Sequence, residues 1–278
     1  MNLWEAQSEI KKLLSHVKPS DVRGLLTWIR CSDEFDDFLS NNQTKVLKNI
    51  SEDLRGSLPP DAMFSSEVTA YNKMQQCSRP TIHVDSFLYD EDQVDFLYFI
   101  SHSFSISELC FLFENVLPDL SGQLVVDVGS RLGTVLYGGH VFSSASQLIG
   151  LEINEEFVKL QNNILQKYKM TDRIQVLHTD VLLQNVLLQK ADVLILNNVF
   201  EFFMEPSEQV RAWRFVMENF RKKGSLLVCV PGLQESLNSL QVDLQLGWVE
   251  ELPVDHKVYL GGDMDQDALT QIHLYRVM

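Results

Sequence analysis

The stretch Leu124-Val-Val-Asp-Val-Gly-Ser-Arg-Leu-Gly133 decides the fold that this chain is expected to adopt. Its first five residues are typical of a buried strand, its glycines permit a sharp turn, and a helix is predicted to follow. A second apolar run, Gln147-Leu-Ile-Gly-Leu-Glu152, ends in an acid. Together these elements indicate a pocket for a nucleoside, because the amides of the turn face the ligand and the acid can accept both ribose hydroxyls.

Regular alternation between apolar runs and amphipathic stretches continues after this turn. Predicted strands lie at 124–128, 147–152, 173–178, 191–197 and 225–230, with predicted helices at about 133–143, 154–168, 182–189 and 206–221. Two further strands, at 247–252 and 271–277, have no long helix between them and are predicted to pair antiparallel. The expected fold class is α/β: a Rossmann-like, doubly wound, seven-stranded sheet with an antiparallel last strand.

The first part of the chain has a different pattern. Apolar residues recur at helical spacing from residue 1 to about residue 57, and Pro59-Pro60 ends that pattern. Residues 1–60 are therefore predicted to form an N-terminal helical subdomain. Residues 61–105, which mix acids and aromatics, are expected to be a connecting or lid region, and residues 106–278 to form the α/β domain.

Charge and composition restrict the partners of the chain. Of its 278 residues 45% are hydrophobic, which is typical of a packed globular protein and not of a disordered one. The formal net charge is −15 and the isoelectric point is near 4.8. This acidic balance disfavours naked nucleic acid as the main partner, since phosphate binding needs clustered Lys and Arg. It favours a basic protein or peptide, or a small molecule.

The cysteines and the hydropathy favour an intracellular location. Four cysteines are widely spaced and form no CxxC pair, so no structural metal site is expected. No apolar run approaches the roughly 20 residues needed to span a membrane, so no membrane partner is expected. Few cysteines and no secretory signal pattern favour a reducing compartment, which predicts a cytoplasmic or nuclear location. The sequence leaves the oligomeric state open.

Acidic side chains end the first three predicted strands. Asp127 can order the glycine turn or accept a hydrogen bond from a ligand ammonium group. Glu152 stands where an acid can accept the hydroxyls of a ribose. Asp180 can accept a hydrogen bond from the exocyclic amine of an adenine, while the backbone N–H of Val181 can donate to the ring. Each signal is weak by itself, and only the series indicates a nucleoside-containing ligand.

The segment Asn197-Asn198-Val-Phe-Glu follows the fourth predicted strand, at the ligand crevice of such a sheet. An Asn carbonyl there can orient an amine nucleophile, and aromatic residues such as Phe200 and Phe202 can enclose a methyl group and exclude water. Glu201 can remove a proton or can be a solvated acid. The asparagines can instead be a helix cap or part of a turn.

Taken in order, these features resemble the class I S-adenosylmethionine-dependent methyltransferases, over roughly residues 100 to 278. The resemblance implies S-adenosyl-L-methionine as the cofactor. The cofactor-binding residues that it implies are His102, Phe104, Asp127, Gly129, Ser130, Gly133, Glu152, Ile153, Asp180, Val181 and Asn197. The catalytic residues predicted beside them are Asn197, Asn198, Phe200 and Glu201.

The reaction that this resemblance implies is transfer of a methyl group to nitrogen. The sequence around the fourth strand, Asp192-Val-Leu-Ile-Leu-Asn-Asn-Val-Phe200, is locally similar to seven-stranded histone lysine methyltransferases, so a protein or peptide side chain is the expected acceptor. The family pattern Asp-x-Gly-x-Gly-x-Gly is interrupted at Arg131. The Arg131 side chain points to solvent or to the cofactor carboxylate, or else it obstructs the site.

Two other functions stay open. If Arg131 obstructs the turn, the chain is a catalytically inactive, cofactor-binding regulator or partner subunit. A nicotinamide-dependent oxidoreductase has a similar sheet, but the antiparallel ending and the paired asparagines count against it. The sequence contains no P-loop in its standard form, no GxSxG and no HExxH, which disfavours P-loop hydrolases, α/β-hydrolases and zinc proteases.

Overall fold

The computed structural model describes residues 3–58, 85–89, 102–201, 203–242, 247–256 and 266–278. The chain divides into two compact units, Met1–Val46 and Leu47–Met278. Most of the predicted connecting region, 61–105, lies outside the described residues, as does Phe202.

The first unit is helical, as the spacing of its apolar residues predicts. Helix α1 spans Leu3–Ser15, α2 spans Pro19–Cys31, and α3 spans Asp33–Ser57 and continues into the second unit. Proline suits the first turn of α2, where a missing N–H leaves no helical bond unmade. Three acids in the first turn of α3 stabilise the positive end of its dipole.

The second unit is built on a seven-stranded sheet. Its strands are β1 Leu124–Val128, β2 Gln147–Glu152, β3 Ile174–His178, β4 Val193–Asn197, β5 Leu226–Val230, β6 Val249–Leu252 and β7 His273–Val277. Their order across the sheet is β3-β2-β1-β4-β5-β7-β6. Strands β1 to β5 are parallel, whereas β7 runs antiparallel to both β5 and β6. The predicted fold class is confirmed, including its antiparallel ending.

A helix precedes β1, and the other described helices of this unit lie between successive strands. They are α4 Ile106–Phe111, α5 Thr134–Phe142, α6 Glu155–Tyr168, α7 Asn185–Lys190, α8 Pro206–Asn219, α9 Leu233–Ser239 and α10 Gln266–Thr270. The predicted helix at 182–189 is divided, because a 3₁₀ turn over Val181–Leu183 precedes α7. The Asp180 carboxylate causes this division, since it accepts a hydrogen bond from Leu182 N at 2.9 Å and so caps a separate turn.

The strand order reverses next to β1, which has β2 on one side and β4 on the other. Such a switch point opens a crevice beyond the carboxyl ends of the strands, and doubly wound sheets bind their ligands there. Strands β1 and β4 are buried over most of their length. The apolar face of α8, including Trp213 and Val216, belongs to the same buried cluster as their side chains. This core fixes the strand ends that surround the crevice.

Candidate functional site

A cavity of about 410 Å³ opens at the carboxyl ends of the parallel strands. Its volume lies in the range of roughly 300–1,000 Å³ that is usual for small-molecule sites. Most of the predicted site residues line it: His102, Asp127, Gly129, Ser130, Glu152, Ile153, Asp180, Val181, Asn197, Asn198 and Phe200. Residues from the ends of four strands, distant in sequence, are thus gathered around one space.

The glycine turn after β1 forms one wall of this cavity. Gly129 and Gly133 have φ angles of +70° and +84°, which L-amino acids with side chains rarely adopt. Both Gly129 N and Ser130 N donate to the Leu151 carbonyl, at 2.8 and 3.0 Å, and this ties the turn to β2. A methyl group added at Gly129 would lie 2.5 Å from a Val199 methyl carbon, so glycine at this position lets the loop after β4 approach the turn.

Asp127 is a buried acid at the edge of the cavity. Its side chain is 3% exposed, and no described residue donates a hydrogen bond to its carboxyl group. Burial raises the pKa of this carboxyl well above its usual range, and the nearby Glu152 charge raises it further. A buried carboxylate without a donor is unfavourable, so this position favours either the protonated acid or a donor from another group.

Glu152 is held in a fixed orientation at the end of β2. One carboxylate oxygen accepts from Arg131 N and the other from Asn154 N, both at 2.8 Å. Each oxygen has a second lone pair for a further donor. The carboxylate therefore keeps the capacity to accept two hydroxyl groups while the backbone holds it in place.

Arg131 adopts a left-handed backbone conformation, with φ +44°, within the glycine turn. Its guanidinium carbon lies 4.5 Å from the centre of the Phe157 ring and 4.8 Å from that of Phe203. Both distances are typical of cation–π contacts. The cavity therefore coexists with this side chain, which forms part of its wall.

The end of β3 forms the far side of the cavity. The Asp180 carboxylate is used by Leu182 N, as described above, and Val181 is buried. Ile153 is 68% exposed and presents an apolar side chain at the rim. Thr179 and Leu182 also line the cavity. Neither residue was predicted from the sequence, although each lies within two positions of Asp180.

The paired asparagines differ in their surroundings. The Asn197 amide donates to the His102 carbonyl at 2.8 Å and accepts from the Asn198 amide at 3.1 Å. Asn198 has φ +49° and its backbone N donates to the Val230 carbonyl at 2.7 Å. Asn197 therefore joins β4 to the segment before α4, whereas the side-chain oxygen of Asn198 accepts from no described residue.

Three predicted site residues do not line the cavity: Phe104, Gly133 and Glu201. Phe104 is buried, and Gly133 stands at the N-terminus of α5. Glu201 accepts from the Ser236 hydroxyl at 3.1 Å and from Phe200 N at 3.2 Å. These hydrogen bonds connect the loop after β4 to α9 and give the Glu201 carboxylate a structural role.

Phe200 reaches the cavity only from its floor. Its side chain is wholly buried and packs edge-to-face on Trp213, with ring centres 5.4 Å apart. The aromatic ring at the rim is instead that of Phe203, beside Met204. The spacing of the aromatic residues after Asn198 does not show which ring is buried and which lines the cavity. The orientation of each ring depends on where α8 begins.

Two charged residues of α8, Glu208 and Arg211, also line the cavity and were not predicted from the sequence. Among the residues that the structure describes, no group of His, Cys, Asp and Glu is arranged to hold a metal ion. None of the described helices is long and apolar enough to cross a membrane.

Comparisons with known proteins give matches at the level of structure. No protein-family model matches the sequence, and no curated protein matches it. A methyltransferase from Geobacter sulfurreducens is 18% identical over 83% of this chain and 96% of its own, with a TM-score of 0.40. An RNA methyltransferase from Salinibacter ruber, in complex with S-adenosyl-L-homocysteine, is 15% identical over 62% and 88%, with a TM-score of 0.37. An rRNA methylase from Streptococcus thermophilus is 10% identical over 62% and 94%, with a TM-score of 0.39. Similarity at these identities concerns the fold alone.

Proposed function

We propose that this protein is an S-adenosyl-L-methionine-dependent methyltransferase that methylates a nitrogen atom of a protein or peptide side chain. The observation that carries the proposal is Asp127, a buried carboxyl group that faces the cavity without a donor from any described residue. An ammonium group of the cofactor's amino-acid end would supply that donor.

Each strand end has a separate binding role in this proposal. The turn at residues 129–133 packs against the amino-acid end of the cofactor, and Asp127 accepts from the ammonium group at that end. Glu152, oriented by two backbone N–H groups, accepts the ribose hydroxyls. Ile153 packs on the adenine, while the Val181 N–H donates to the ring. The Asp180 carboxylate, which already caps the 3₁₀ turn, accepts from the exocyclic amine with a remaining lone pair.

Asn197 and Asn198 have different roles in positioning the methyl acceptor. When bound, the cofactor supplies a methyl group already activated by a sulfonium, so the protein mainly has to align the acceptor. Asn197 positions the loop through His102 and Asn198. Asn198 accepts a hydrogen bond from the acceptor nitrogen with its side-chain oxygen and thereby directs the nitrogen lone pair. The apolar side chains of Phe203 and Met204 exclude water at the rim.

The proposed acceptor class rests on charge and on the local sequence resemblance. A net charge of −15 attracts a basic partner and repels free nucleic acid, which affects the encounter rate more than the final affinity. Arg131 and Arg211 are local exceptions to this charge on the cavity wall. A test of the acceptor must therefore include RNA as well as protein.

We expect Asn198→Gly to lower methyl transfer at least about tenfold while the affinity for S-adenosyl-L-methionine stays within about twofold. Glycine keeps the left-handed backbone at this position and removes only the amide. Radiolabelled cofactor added to a cell lysate, followed by separation into protein, RNA and small-molecule fractions, measures the transfer. Asn219→Ala, which removes an amide on α8 that does not line the cavity, is the matched control.

The outcomes of this experiment separate the remaining candidates. Label in the protein fraction that is lost in Asn198→Gly supports the proposal, and label in RNA alone rejects the proposed acceptor. Cofactor binding without label in any fraction supports the alternative of a non-catalytic regulator or partner subunit. Undiminished transfer by Asn198→Gly would contradict the role given to Asn198.

A further inference from the structure

The segment that precedes α4 contributes His102 and Ser103 to the wall of the cavity. The His102 carbonyl accepts from the Asn197 amide at 2.8 Å. Asn197 in turn accepts from the Asn198 amide at 3.1 Å. The position of this segment is therefore coupled to the position of the paired asparagines at the end of β4.

Asp85 holds this segment from a separate turn at residues 85–89. Its side chain is wholly buried. One carboxylate oxygen, Oδ1, accepts from both Phe87 N and Leu88 N at 3.1 Å and so closes the turn on itself. The other oxygen, Oδ2, accepts from Ser103 N at 3.3 Å. One oxygen thus shapes the turn, and the other joins the turn to the wall of the cavity.

The turn at residues 85–89 is attached to α3. The Ser51 hydroxyl donates to the Phe87 carbonyl at 2.8 Å, and Arg55 Nη1 donates to the Leu88 carbonyl at 3.0 Å. The side chains of Phe87 and Leu88 are buried. Both donors on α3 belong to the unit that contains the sheet. The turn therefore has a fixed position in this unit, and a hydrogen bond from it can hold the cavity wall in place.

We propose that Asp85 is a positioning residue of the candidate site, which holds the segment at His102 and Ser103 against Asn197 before a ligand binds. Asp85 is not among the described residues that line the cavity, so it acts through Ser103. A wall that is already ordered loses less conformational entropy when a ligand binds, and the affinity is higher for that reason. The effect on cofactor affinity rests on the proposed function, whereas the effect on the order of the wall does not.

Asp85→Asn separates the two tasks of this carboxylate. The amide oxygen can still accept from Phe87 N and Leu88 N, whereas the amide nitrogen cannot accept from Ser103 N. In the free protein we expect hydrogen exchange, measured by mass spectrometry, to be at least about tenfold faster in the peptide that contains residues 102–105 and unchanged in α3. In titration with S-adenosyl-L-homocysteine the affinity should fall about three- to tenfold.

Asp192→Asn is the matched control. The Asp192 carboxylate also accepts from a backbone N–H, that of Leu124 at 2.9 Å. Leu124 begins β1, so this bond lies at the opposite end of the strand from the glycine turn. The control should leave the exchange of residues 102–105 and the affinity at their wild-type values, even where it lowers the thermal midpoint.

Unchanged exchange of residues 102–105 in Asp85→Asn would overturn the inference. Equal acceleration throughout the sheet would also overturn it, because Asp85 would then only stabilise the fold. A local increase in exchange with wild-type affinity would reject the effect on the ligand. If the exchange increases locally but the folded wild-type protein binds no S-adenosyl-L-homocysteine, the proposed function fails and the positioning role stands.

Ser51→Ala tests the same connection from α3 if Asp85→Asn does not fold. The substitution removes only the hydroxyl that donates to the Phe87 carbonyl, and alanine is favourable within a helix. We expect it to accelerate the exchange of residues 102–105 by a smaller factor than Asp85→Asn would. Wild-type exchange of these residues in Ser51→Ala would then overturn the inference.

Discussion

Asp127→Asn is expected to weaken the binding of S-adenosyl-L-methionine about 10- to 100-fold and at the same time to raise the thermal midpoint of the free protein. The affinity falls because an amide cannot replace the charged acceptor of an ammonium group, and such bonds contribute about 1.5–3 kcal/mol. The stability rises because the buried acid is unfavourable at neutral pH. The midpoint increases by roughly 2–4 °C for each kcal/mol of relieved destabilisation.

Asp192→Asn provides the contrast for this experiment. Burial raises the pKa of Asp192, but hydrogen bonds from Lys222 and from Leu124 N outweigh burial and lower it. Loss of that acid should therefore lower the thermal midpoint and leave the affinity for the cofactor unchanged. Titration calorimetry and thermal unfolding measure both quantities. An Asp127→Asn variant with wild-type affinity would remove Asp127 from the cofactor site.

The affinity for the cofactor should also increase with pH. Burial, and then the charge of Glu152, raises the pKa of Asp127 in the folded protein above its unfolded value. The free energy of unfolding has the full benefit of the protonated Asp127 at pH values below the unfolded pKa of this carboxyl. That benefit is lost as the pH rises through the folded pKa, where the buried carboxyl ionises. The ionised form accepts from an ammonium much more strongly than the neutral acid does, so binding below the folded pKa releases a proton. Calorimetry in buffers of different ionisation enthalpy detects this release, which should be absent in Asp127→Asn.

Glu152→Ala is expected to have the largest effect on cofactor binding, a loss of about 100-fold or more. Both ribose hydroxyls would lose the carboxylate that accepts from them, and each of these hydrogen bonds involves a charged group. Arg131 N and Asn154 N would also lose their acceptors, so the turn would be less well ordered. We expect a fall in stability of about 1–3 kcal/mol from these two donors. Titration with S-adenosyl-L-homocysteine and thermal unfolding measure the two effects.

Glu155→Ala is the control for the change in charge. Glu155 is three residues away on α6, it is exposed, and its ion pair with Lys159 lies at the surface, where such pairs contribute little. This variant should retain both affinity and stability. Wild-type affinity in Glu152→Ala would show that the ligand does not contact the end of β2, and a different ligand class would then have to be considered.

The sheet and the positions of its strand ends could be predicted from sequence because they depend on local pattern. Apolar runs of strand length alternate with amphipathic helices, and the side chains that end such runs meet at one edge of a parallel sheet. For this reason Asp127, Glu152, Asp180 and Asn197 are expected near one edge of the sheet, and all four line one cavity. The hydrogen-bond partners of these side chains could not be predicted from local pattern, because they come from other segments of the chain.

Arg131 and Glu201 show what local pattern cannot provide. The sequence leaves three placements open for the Arg131 side chain, in solvent, at the cofactor carboxylate or across the site. Phe157 and Phe203, which lie outside the turn in sequence, determine where its guanidinium lies. Glu201 was predicted as a candidate base, and its partner Ser236 follows 35 residues later, on α9. Both outcomes depend on tertiary packing around the loop after β4.

Titration of the folded protein with S-adenosyl-L-methionine tests the central claim most directly. The cavity at the carboxyl ends of β1 to β4 should give one binding event per chain, with a dissociation constant between about 1 µM and 1 mM, and Glu152→Ala should abolish it over the same concentration range. A thermal melt of the same sample confirms that the protein is folded. A folded wild-type protein that gives no binding heat at millimolar cofactor would contradict the account.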